Sequence, residues 1–311
     1  MDTIKSYRVE FIGDRSIKVN QGESILNASL SAGIPHYHAC GGNGKCSTCR
    51  VLIKEGMQNL TPYTEKEKLL RKRMRIPQNV RLACQTFVVR SPVLLHRIIR
   101  DETDIKLYIK EDTKSDVQNI GEEKDLALFF LDIRNFTLFM EASLAFDVIH
   151  VIRRLFTMFR RCIEECYGRI IETSGDGFYA VFGIDSTIEK AVNDAYSAGL
   201  LILNELDKFN INYLRKYFKH EFRVGIGLHM GKVIIGNIGI GVNNNLTVMG
   251  MPVNIASRIQ TATKEMNNDF LISHNIYEIL RQPPQTDEIQ IALKGVKNLM
   301  KVFRCGKAYS K

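Results

Sequence analysis

The chain has 311 residues, enough for about two domains at roughly 150 residues each. Its apolar fraction of 45% and charged fraction of 25% are ordinary for globular proteins and argue against a disordered class. No run approaches the ~18 apolar residues of a membrane helix, and the N-terminus enters a strand pattern without a signal peptide. We therefore expect a cytoplasmic protein without membrane insertion, whose seven cysteines are thiols or cluster ligands.

The net charge of +9 includes basic clusters at residues 71–75, 153–154 and 160–161. Such charge can attract nucleic acid or anionic lipid, but no recognition motif accompanies it. We interpret it as a solvated basic face and expect no nucleic-acid partner. A polyanionic substrate such as a nucleoside triphosphate would suit this balance.

Residues 7–12 and 16–20 alternate as the two strands of a hairpin, and residues 24–32 form a short amphipathic helix that Gly33 ends. A glycine-rich loop follows with Cys40, Cys46 and Cys49, and RLACQ later supplies Cys84. Four such thiolates can hold a [2Fe–2S] cluster, and the glycines let backbone N–H groups point at sulfur. A four-cysteine zinc site is the alternative, but it usually shows two CxxC pairs and this chain has one.

This order of strands, helix, cysteine loop and RLACQ resembles the β-grasp [2Fe–2S] ferredoxins, over roughly residues 5–95. The longer C-x5-C-x2-C spacing is similar to that of the vertebrate-type members. The resemblance implies a ferredoxin-type domain at residues 1–100, with a cluster on the four cysteines. His36 and His38 flank the first ligand and are interpreted as ordinary loop residues.

Residues 101–124 are highly charged and poor in large apolar side chains, which is typical of a surface linker. They lack sustained heptads, so a long coiled coil is not expected.

Two acidic residues stand out in the C-terminal part. The apolar run LALFFLDI predicts a strand over 125–133 that ends at Asp132. The stretch 168–183 predicts a hairpin with Asp176 at its tip, because glycines on both sides allow a tight turn. Carboxylates at the ends of adjacent strands commonly hold divalent cations against a triphosphate. An ordinary hairpin, in which Asp176 only favours the turn, is the alternative.

The other C-terminal elements alternate between helices and strands with an antiparallel character, which predicts an α+β sandwich. The predicted helices are 147–167, with Cys162 and Cys166 as buried thiols on one face, and 187–209. The predicted strands and turns are 222–229, a hairpin at 231–239 with a polar tip at 242–245, a strand leading into a helix over 246–259, and strands at 289–295 and 299–305.

Five motifs in this part, FLDIRNFT, SGDGFYAVFG, RVGIGLHMG, TVMGMPVNIASR and ALKG, occur in the order and spacing of class III nucleotidyl cyclase catalytic domains. Residues 125–311 resemble that family. The resemblance implies a ferredoxin-like α/β sandwich and two Mg²⁺ or Mn²⁺ ions held by Asp132, Asp176 and the carbonyl of Ile133. Asn254 would orient the ribose and Arg258 would stabilise the α-phosphate.

The resemblance also implies that Lys294 and Arg223 grip the β- and γ-phosphates. Sites in the family lie between two subunits, and this chain has one cyclase domain, so a homodimer with two sites is expected. Asp132, Asp176 and Arg223 would serve one site. The other site would take Glu172, Thr247, Asn254, Arg258 and Lys294 of the same chain.

Glu172 and Thr247 bear on the choice of base. Adenylate cyclases usually carry a lysine four residues before the hairpin aspartate, whereas this chain has Glu172. A carboxylate accepts from guanine N1–H and N2–H₂ and opposes the lone pair of adenine N1, so Glu172 favours GTP. The Thr247 hydroxyl can donate to guanine O6 or accept from adenine N6, so ATP stays open.

The resulting hypothesis is a purine nucleotide cyclase regulated by an iron–sulfur domain, with an electron-donor protein as a further partner. The alternative from another class is an electron-transfer or redox-sensing ferredoxin with a catalytically weak nucleotide-binding domain. The full set of Asp132, Asp176, Asn254, Arg258 and Lys294 argues against that alternative.

Overall fold

The computed structural model describes residues 5–100, 121–236, 246–296 and 298–309. The chain divides into two compact units, Met1–Gly121 and Glu122–Lys311. Residues 101–120 of the predicted linker lie outside the described residues. Its last three residues, 122–124, instead begin a strand, because they pair with residues 233–235 of a neighbouring strand.

The first unit is a five-stranded mixed sheet with two helices. Its elements are β1 (Ser6–Phe11), β2 (Ser16–Asn20), α1 (Ile25–Ser31), β3 (Arg50–Glu55), α2 (Glu65–Met74), β4 (Val80–Leu82) and β5 (Val93–Arg97). The strand order is β2-β1-β5-β3-β4, with β1 and β5 parallel. The predicted hairpin and first helix are confirmed, and Ser24 caps α1 by accepting from the N–H of Asn27 at 3.1 Å.

A buried ion pair ties α2 to the strand that leads to Cys84. Both oxygens of Glu67 accept from Arg81 at 3.0 Å, and Oε1 also accepts from the N–H of Leu82 at 2.9 Å. Both side chains are almost fully buried, at 1% and 3% exposed. Because both carboxylate oxygens accept hydrogen bonds, the charges are tolerated in the core.

The second unit is an eight-stranded sheet with helices on its faces. Its strands are β6 (Glu122–Arg134), β7 (Arg169–Ser174), β8 (Gly177–Phe182), β9 (Arg223–Gly236), β10 (Thr247–Met249), β11 (Phe270–Ser273), β12 (Glu288–Ile291) and β13 (Met300–Arg304). Its helices are α3 (Phe136–Ala142), α4 (Ala145–Glu165), α5 (Ile188–Phe209), α6 (Arg215–Tyr217), α7 (Met251–Ala262) and α8 (His274–Tyr277), with a π-turn at Asn210–Leu214.

The sheet order is β12-β13-β11-β9-β6-β8-β7, with β10 paired to β9. Alternate residues of β6 point to opposite faces. The face with Phe129 and Leu131 packs with α4 and α5, and the face with Leu126 and Leu128 packs against β10 and α7. The predicted α+β sandwich is therefore confirmed.

The predicted hairpin at 231–239 is wrong for its described residues, because β9 runs unbroken through Gly231 to Gly236. A Cβ at Gly231 would lie 2.6 Å from Cγ of Pro252 at the start of α7. The glycine therefore serves a close approach between helix and strand, and not a turn. Residues 237–239 and the predicted polar tip at 242–245 lie outside the described residues.

The predicted helix at 147–167 begins and ends two residues earlier, at Ala145 and Glu165. Its end is set by Tyr167, whose φ of 60° is left-handed. Cys162 is buried and Cys166 partly buried against the same core, and burial raises the pKa of Cys162 to about 11. This environment suits inert structural thiols.

Candidate active site and cysteine cluster

The ends of β6 and of the β7–β8 hairpin bring Asp132 and Asp176 together. Asp132 lies opposite Gly177 in the β6–β8 register, and the N–H of Ile133 donates to the carbonyl of Asp176 at 3.1 Å. Gly175 has a φ of 58°, which the tight turn requires. A Cβ at Gly177 would lie 2.7 Å from the carbonyl of Leu131, so only glycine lets the turn approach β6 this closely.

The electrostatics of Asp132 reflect this crowding. Burial raises the pKa of its carboxyl, and the nearby charge of Asp176 raises it further. Arg134 opposes the shift through an ion pair of 2.8 Å between its Nη1 and Oδ2 of Asp132. Two carboxylates that disfavour each other's charge form an environment that attracts cations.

Arg134 is a site residue that the sequence analysis missed. It also donates to the carbonyl of Gln260 and to the hydroxyl of Thr263, both at the end of α7. It is therefore held at four points, counting a weak contact of 3.5 Å to the hydroxyl of Tyr309. Its position two residues after Asp132 on a strand could have indicated it, since such residues share a face.

A pocket of about 700 Å³ opens beside these groups. It is lined by Asp132 and Asp176, by the start of α3, and by the cations Arg223 and Lys264. Arg223, the first residue of β9, donates to the carbonyl of Ala308 at 2.9 Å. The pocket thus combines the carboxylates of Asp132, Asp176 and Glu221 with basic side chains, as a metal–polyphosphate ligand requires.

Asn254 and Arg258 lie one turn apart on α7, as the sequence analysis predicted. Arg258 Nη2 lies 3.4 Å from where a Cβ of Gly295 would stand, so the guanidinium reaches the Lys294–Gly295 turn. Its Nη1 is buried and has no hydrogen-bond partner within the described residues. Asn254 and Lys294 are exposed. A buried guanidinium nitrogen without a partner, beside exposed polar side chains, is suited to bind an anionic ligand.

Glu172 and Thr247 are linked through Tyr179. Glu172 pairs with Tyr179 in the β7–β8 register, and the Tyr179 hydroxyl donates to the carbonyl of Val248 at 3.3 Å. Burial raises the pKa of Tyr179 to about 12, and the Glu172 carboxylate contributes to that shift. The β7 strand that carries Glu172 is therefore connected to the β10 strand that carries Thr247.

The eight predicted side chains fall into two groups. Among the described residues, the pocket with Asp132, Asp176 and Arg223 is lined by none of the other five. Those five are Glu172, Thr247, Asn254, Arg258 and Lys294. One chain therefore carries the eight predicted site side chains in two separate places.

In the first unit, the four predicted cysteines form two pairs of neighbouring thiols. Cys40 lies close enough to Cys46, and Cys49 to Cys84, for each thiol to shift the pKa of its neighbour. Across the described residues, no three acidic, cysteine or histidine side chains gather into a closed metal site. Gly41, Gly42 and Gly44 all have positive φ, which curls the loop around the thiols.

Backbone N–H groups of the loop point at sulfur. Burial alone would raise the pKa of Cys40. Hydrogen bonds from the Cys46 thiol and from the N–H groups of residues 43, 45 and 46 have the larger, opposite effect, so the pKa of Cys40 is lowered. The Cys49 thiol donates to Cys84 and lowers its pKa to about 6, and Gln85 Nε2 lies 3.6 Å from the Cys84 sulfur. Such donors stabilise thiolates that ligate iron.

His36 and His38 stand apart from the thiols' hydrogen bonds just described. His36 is buried, with its Nδ1 2.8 Å from the hydroxyl of Ser29, and burial lowers its pKa to about 4. His38 Nδ1 lies 2.8 Å from the carbonyl of His36. Both histidines lie in the loop between α1 and β3, and His36 is buried there.

Comparison with known proteins finds a family match for each of the two units. The sequence profile of the adenylate and guanylate cyclase catalytic domain matches residues 119–305, more than half of the chain. The chain therefore belongs to the adenylate and guanylate cyclase catalytic domain family. Its N-terminal unit adds a second module, since residues 11–89 match the 2Fe-2S iron-sulfur cluster binding domain.

Curated relatives match over the cyclase part. The adenylate cyclase of Anabaena cylindrica is 30% identical over 175 residues, which cover 55% of this chain and 34% of that protein. The adenylate cyclase 1 of Rhizobium meliloti is 27% identical over 150 residues, or 48% of this chain and 22% of that protein. The chain thus spans about a third or less of these relatives' length.

Solved structures show the same fold. The adenylyl cyclase CyaB from P. aeruginosa has a TM-score of 0.55 at 24% identity, covering 59% of this chain and 94% of that one. No helix among the described residues is long and apolar enough to cross a membrane.

Proposed function

We propose that this protein is a class III purine nucleotide cyclase, which converts GTP or ATP to the 3′,5′-cyclic nucleotide and pyrophosphate. The observation that carries the proposal is the meeting of Asp132 and Asp176 at adjacent strand ends, in a pocket that also holds Arg223. Membership of the cyclase family supports the same reaction.

The residues present fit a divalent metal. Asp132 and Asp176 lie side by side in an open pocket, and hard cations such as Mg²⁺ or Mn²⁺ prefer carboxylate oxygens, with phosphate oxygens completing their shell. We assign Asp132, Asp176 and the carbonyl of Ile133 as the ligands. When bound, the metal ions supply Lewis-acid activation of the 3′-hydroxyl and charge neutralisation on the triphosphate.

The protein's own groups bind and orient the nucleotide. Asn254 orients the ribose, and Arg258 stabilises the charge that develops on the α-phosphate. Arg223 and Lys294 hold the β- and γ-phosphates and favour departure of pyrophosphate. The unpartnered Nη1 of Arg258 supports this role, because a preorganised donor needs no rearrangement to meet the anion.

A homodimer completes the site. One chain presents Asp132, Asp176 and Arg223 in a pocket that Asn254 and Arg258 do not line. A second copy related by two-fold symmetry would bring its own Asn254 and Arg258 to that pocket. Each dimer would then contain two equivalent sites.

Glu172 favours GTP, because its carboxylate accepts from the guanine edge. Its side chain is exposed on β7, where a base can reach it. The second candidate substrate is ATP, which the name of the Anabaena cylindrica relative favours. Thr247 is compatible with both bases.

The N-terminal unit is proposed to carry a [2Fe–2S] cluster on Cys40, Cys46, Cys49 and Cys84. The two thiol pairs and the N–H groups aimed at sulfur support this ligand set. The cyclisation reaction transfers no electrons, so we propose that the cluster regulates the cyclase, with an electron-donor protein as its partner. Cluster loss should change activity more than reduction, because the Cys40–Cys49 loop would lose its main organising contact.

The test is anaerobic purification followed by incubation with GTP or ATP and Mn²⁺. Cyclic product from either nucleotide, absent in Asp132→Asn, supports the proposal. Iron and sulfide at about two each per chain support the cluster, whereas stoichiometric zinc contradicts it. Equal activity of the oxidised, reduced and cluster-stripped forms would contradict regulation by the cluster.

A further inference from the structure

Apolar side chains at the start of α4 are exposed to solvent. Phe146 is 86% exposed, Leu144 77% and Ile149 53%. The buried stripe of α4 begins only at Val151 and continues through Leu155 and Phe159. Val148 packs partly against the core, whereas Leu144, Phe146 and Ile149 face away from it. Such exposure is unusual for three large apolar side chains this close together.

The segment that follows α5 forms one surface with this turn. His150 Nε2 lies 2.9 Å from the Tyr213 hydroxyl, and the Arg154 guanidinium lies 4.2 Å from the centre of the Tyr213 ring. The Tyr213 and Tyr217 rings are 5.4 Å apart, and Tyr217 is itself exposed. We name the surface formed by residues 144–154 and 211–219 the α4 face.

The α4 face is basic. Arg153, Arg154, Lys216 and Lys219 have no carboxylate ion-pair partner within the described part of the chain. A groove of about 600 Å³ between α4 and α5 is lined by Arg153, Arg154 and Lys208 and contains one carboxylate, Glu205. Glu205 already pairs with Arg161 and Lys208. Asp147 is the one acidic residue in the first turn of α4, where the exposed apolar side chains lie.

Repulsion between like charges argues against the α4 face being covered by a second copy of the chain or by its own N-terminal unit. A second copy seated by two-fold symmetry would place these cations against their own equivalents. The ferredoxin-type unit is also basic, with 17 lysines and arginines against 7 acids in residues 1–100. The partner that covers the α4 face is therefore anionic, and it also has an apolar region that accepts the exposed side chains.

We propose that the α4 face docks this protein on the surface of an anionic lipid membrane. Phe146, Leu144 and Ile149 enter the boundary between headgroups and acyl chains, while Arg153, Arg154 and Lys216 contact lipid phosphates. Interfacial helices combine these two features, with aromatic and aliphatic residues beside arginine and lysine. This role is peripheral and is independent of the proposed catalysis.

The chain contains no tryptophan, so one substitution creates a clean probe. We choose F146W on the α4 face and L69W as its matched control, because Leu69 is 65% exposed on the basic helix α2. The full-length protein is mixed with vesicles of phosphatidylcholine containing 30% phosphatidylserine, or of phosphatidylcholine alone. We expect F146W emission to shift to shorter wavelength and to be quenched by brominated acyl chains, only with the anionic vesicles. L69W should show neither effect.

Vesicle sedimentation then separates the two basic surfaces. Phe146→Ser should weaken binding about tenfold. The pair R153E and K216E should weaken it at least ~25-fold, because the loss of each cation alone accounts for roughly fivefold. The control pair K72E and R73E on α2 should lose much less. Binding should also fall as salt rises, because screening shortens the reach of the charges.

Three outcomes would overturn the proposal. They are an unshifted F146W with anionic vesicles, equal responses from F146W and L69W, and a greater loss in the α2 pair than in the α4 pair. A shift of F146W that occurs with an acidic protein such as a flavodoxin and not with vesicles would assign the face to a protein partner. Circular dichroism of each variant checks that the fold is retained.

Discussion

The N–H of Ile133 donates to the carbonyl of Asp176, which joins the end of β6 directly to the tip of the neighbouring hairpin. The bond fixes the spacing of two carboxylates that would otherwise move apart to reduce their repulsion. Asp132 is further held by Arg134, so the carboxylates are preorganised at the cost of raising the pKa of Asp132.

Removal of either carboxylate is expected to weaken cation binding. Asp132→Asn and Asp176→Asn keep side-chain volume but remove the charge that attracts Mn²⁺. Manganese binding, measured by electron paramagnetic resonance, should fall at least tenfold in each variant. Glu141→Gln, an exposed residue of α3 outside the pocket lining, is the control and should bind as before. Unchanged binding in both aspartate variants would contradict the assigned metal site.

Complementation tests the shared site. Asp132→Ala and Arg258→Ala should each be nearly inactive alone, because each damages one half of every site. Mixed subunits should regain up to one intact site in each heterodimer, measured as cyclic nucleotide production. No recovery, with subunit exchange verified, would show that each chain forms its site alone.

Replacement of Glu172 tests how the base is read. Glu172→Lys should weaken use of GTP and improve use of ATP, since an ammonium donates where the carboxylate accepted. A mismatched base leaves polar groups unpaired, so the ratio of kcat/KM for the two nucleotides should change at least tenfold. Glu123→Lys, a charge reversal near the start of β6 and away from Glu172, controls for net charge. An unchanged ratio would show that Glu172 does not read the base.

The buried ion pair of the N-terminal unit should matter for stability. Glu67→Gln leaves the Arg81 charge without its partner in the core and should cost about 3 kcal/mol of unfolding free energy. Urea unfolding followed by circular dichroism measures this change. Glu65→Gln, on the same helix but in an exposed pair with Lys68, should give no measurable change. Equal stability of the two variants would contradict the role of Glu67.

Acid should destabilise the C-terminal unit through His229. Burial lowers the pKa of His229 to about 4, whereas an unfolded histidine has a pKa of about 6.5. The unfolded state therefore binds the proton more readily, and the stability present above pH 6.5 is lost as the pH falls towards 4. We expect a loss of about 2 kcal/mol between pH 7.5 and pH 5.

His36 and His220 shift in the same direction, so a variant must isolate His229. His229→Gln keeps a polar group near Ser273, 2.8 Å from the histidine Nδ1. This variant should show a shallower dependence of unfolding free energy on pH. An identical slope would exclude His229 as a source of the acid sensitivity.

Local patterns predicted the elements that depend on neighbouring residues. The first hairpin, the turn around Asp176 and the one-turn spacing of Asn254 and Arg258 all follow from short-range geometry. The role of Gly231 could not be predicted, because it depends on Pro252, which approaches from a distant element. The connection of Tyr179 to Val248 is also non-local, since it spans 69 residues.

The long pairing of β6 with β9 has a mechanical consequence. β6 begins at Glu122, where the second unit begins, and reaches Asp132 about 33 Å further on, at roughly 3.3 Å per residue. β6 is paired with β9 along its whole length, so bending it would require the hydrogen bonds between the two strands to distort. We therefore expect a displacement along β6 that begins at Glu122 to be transmitted towards Asp132.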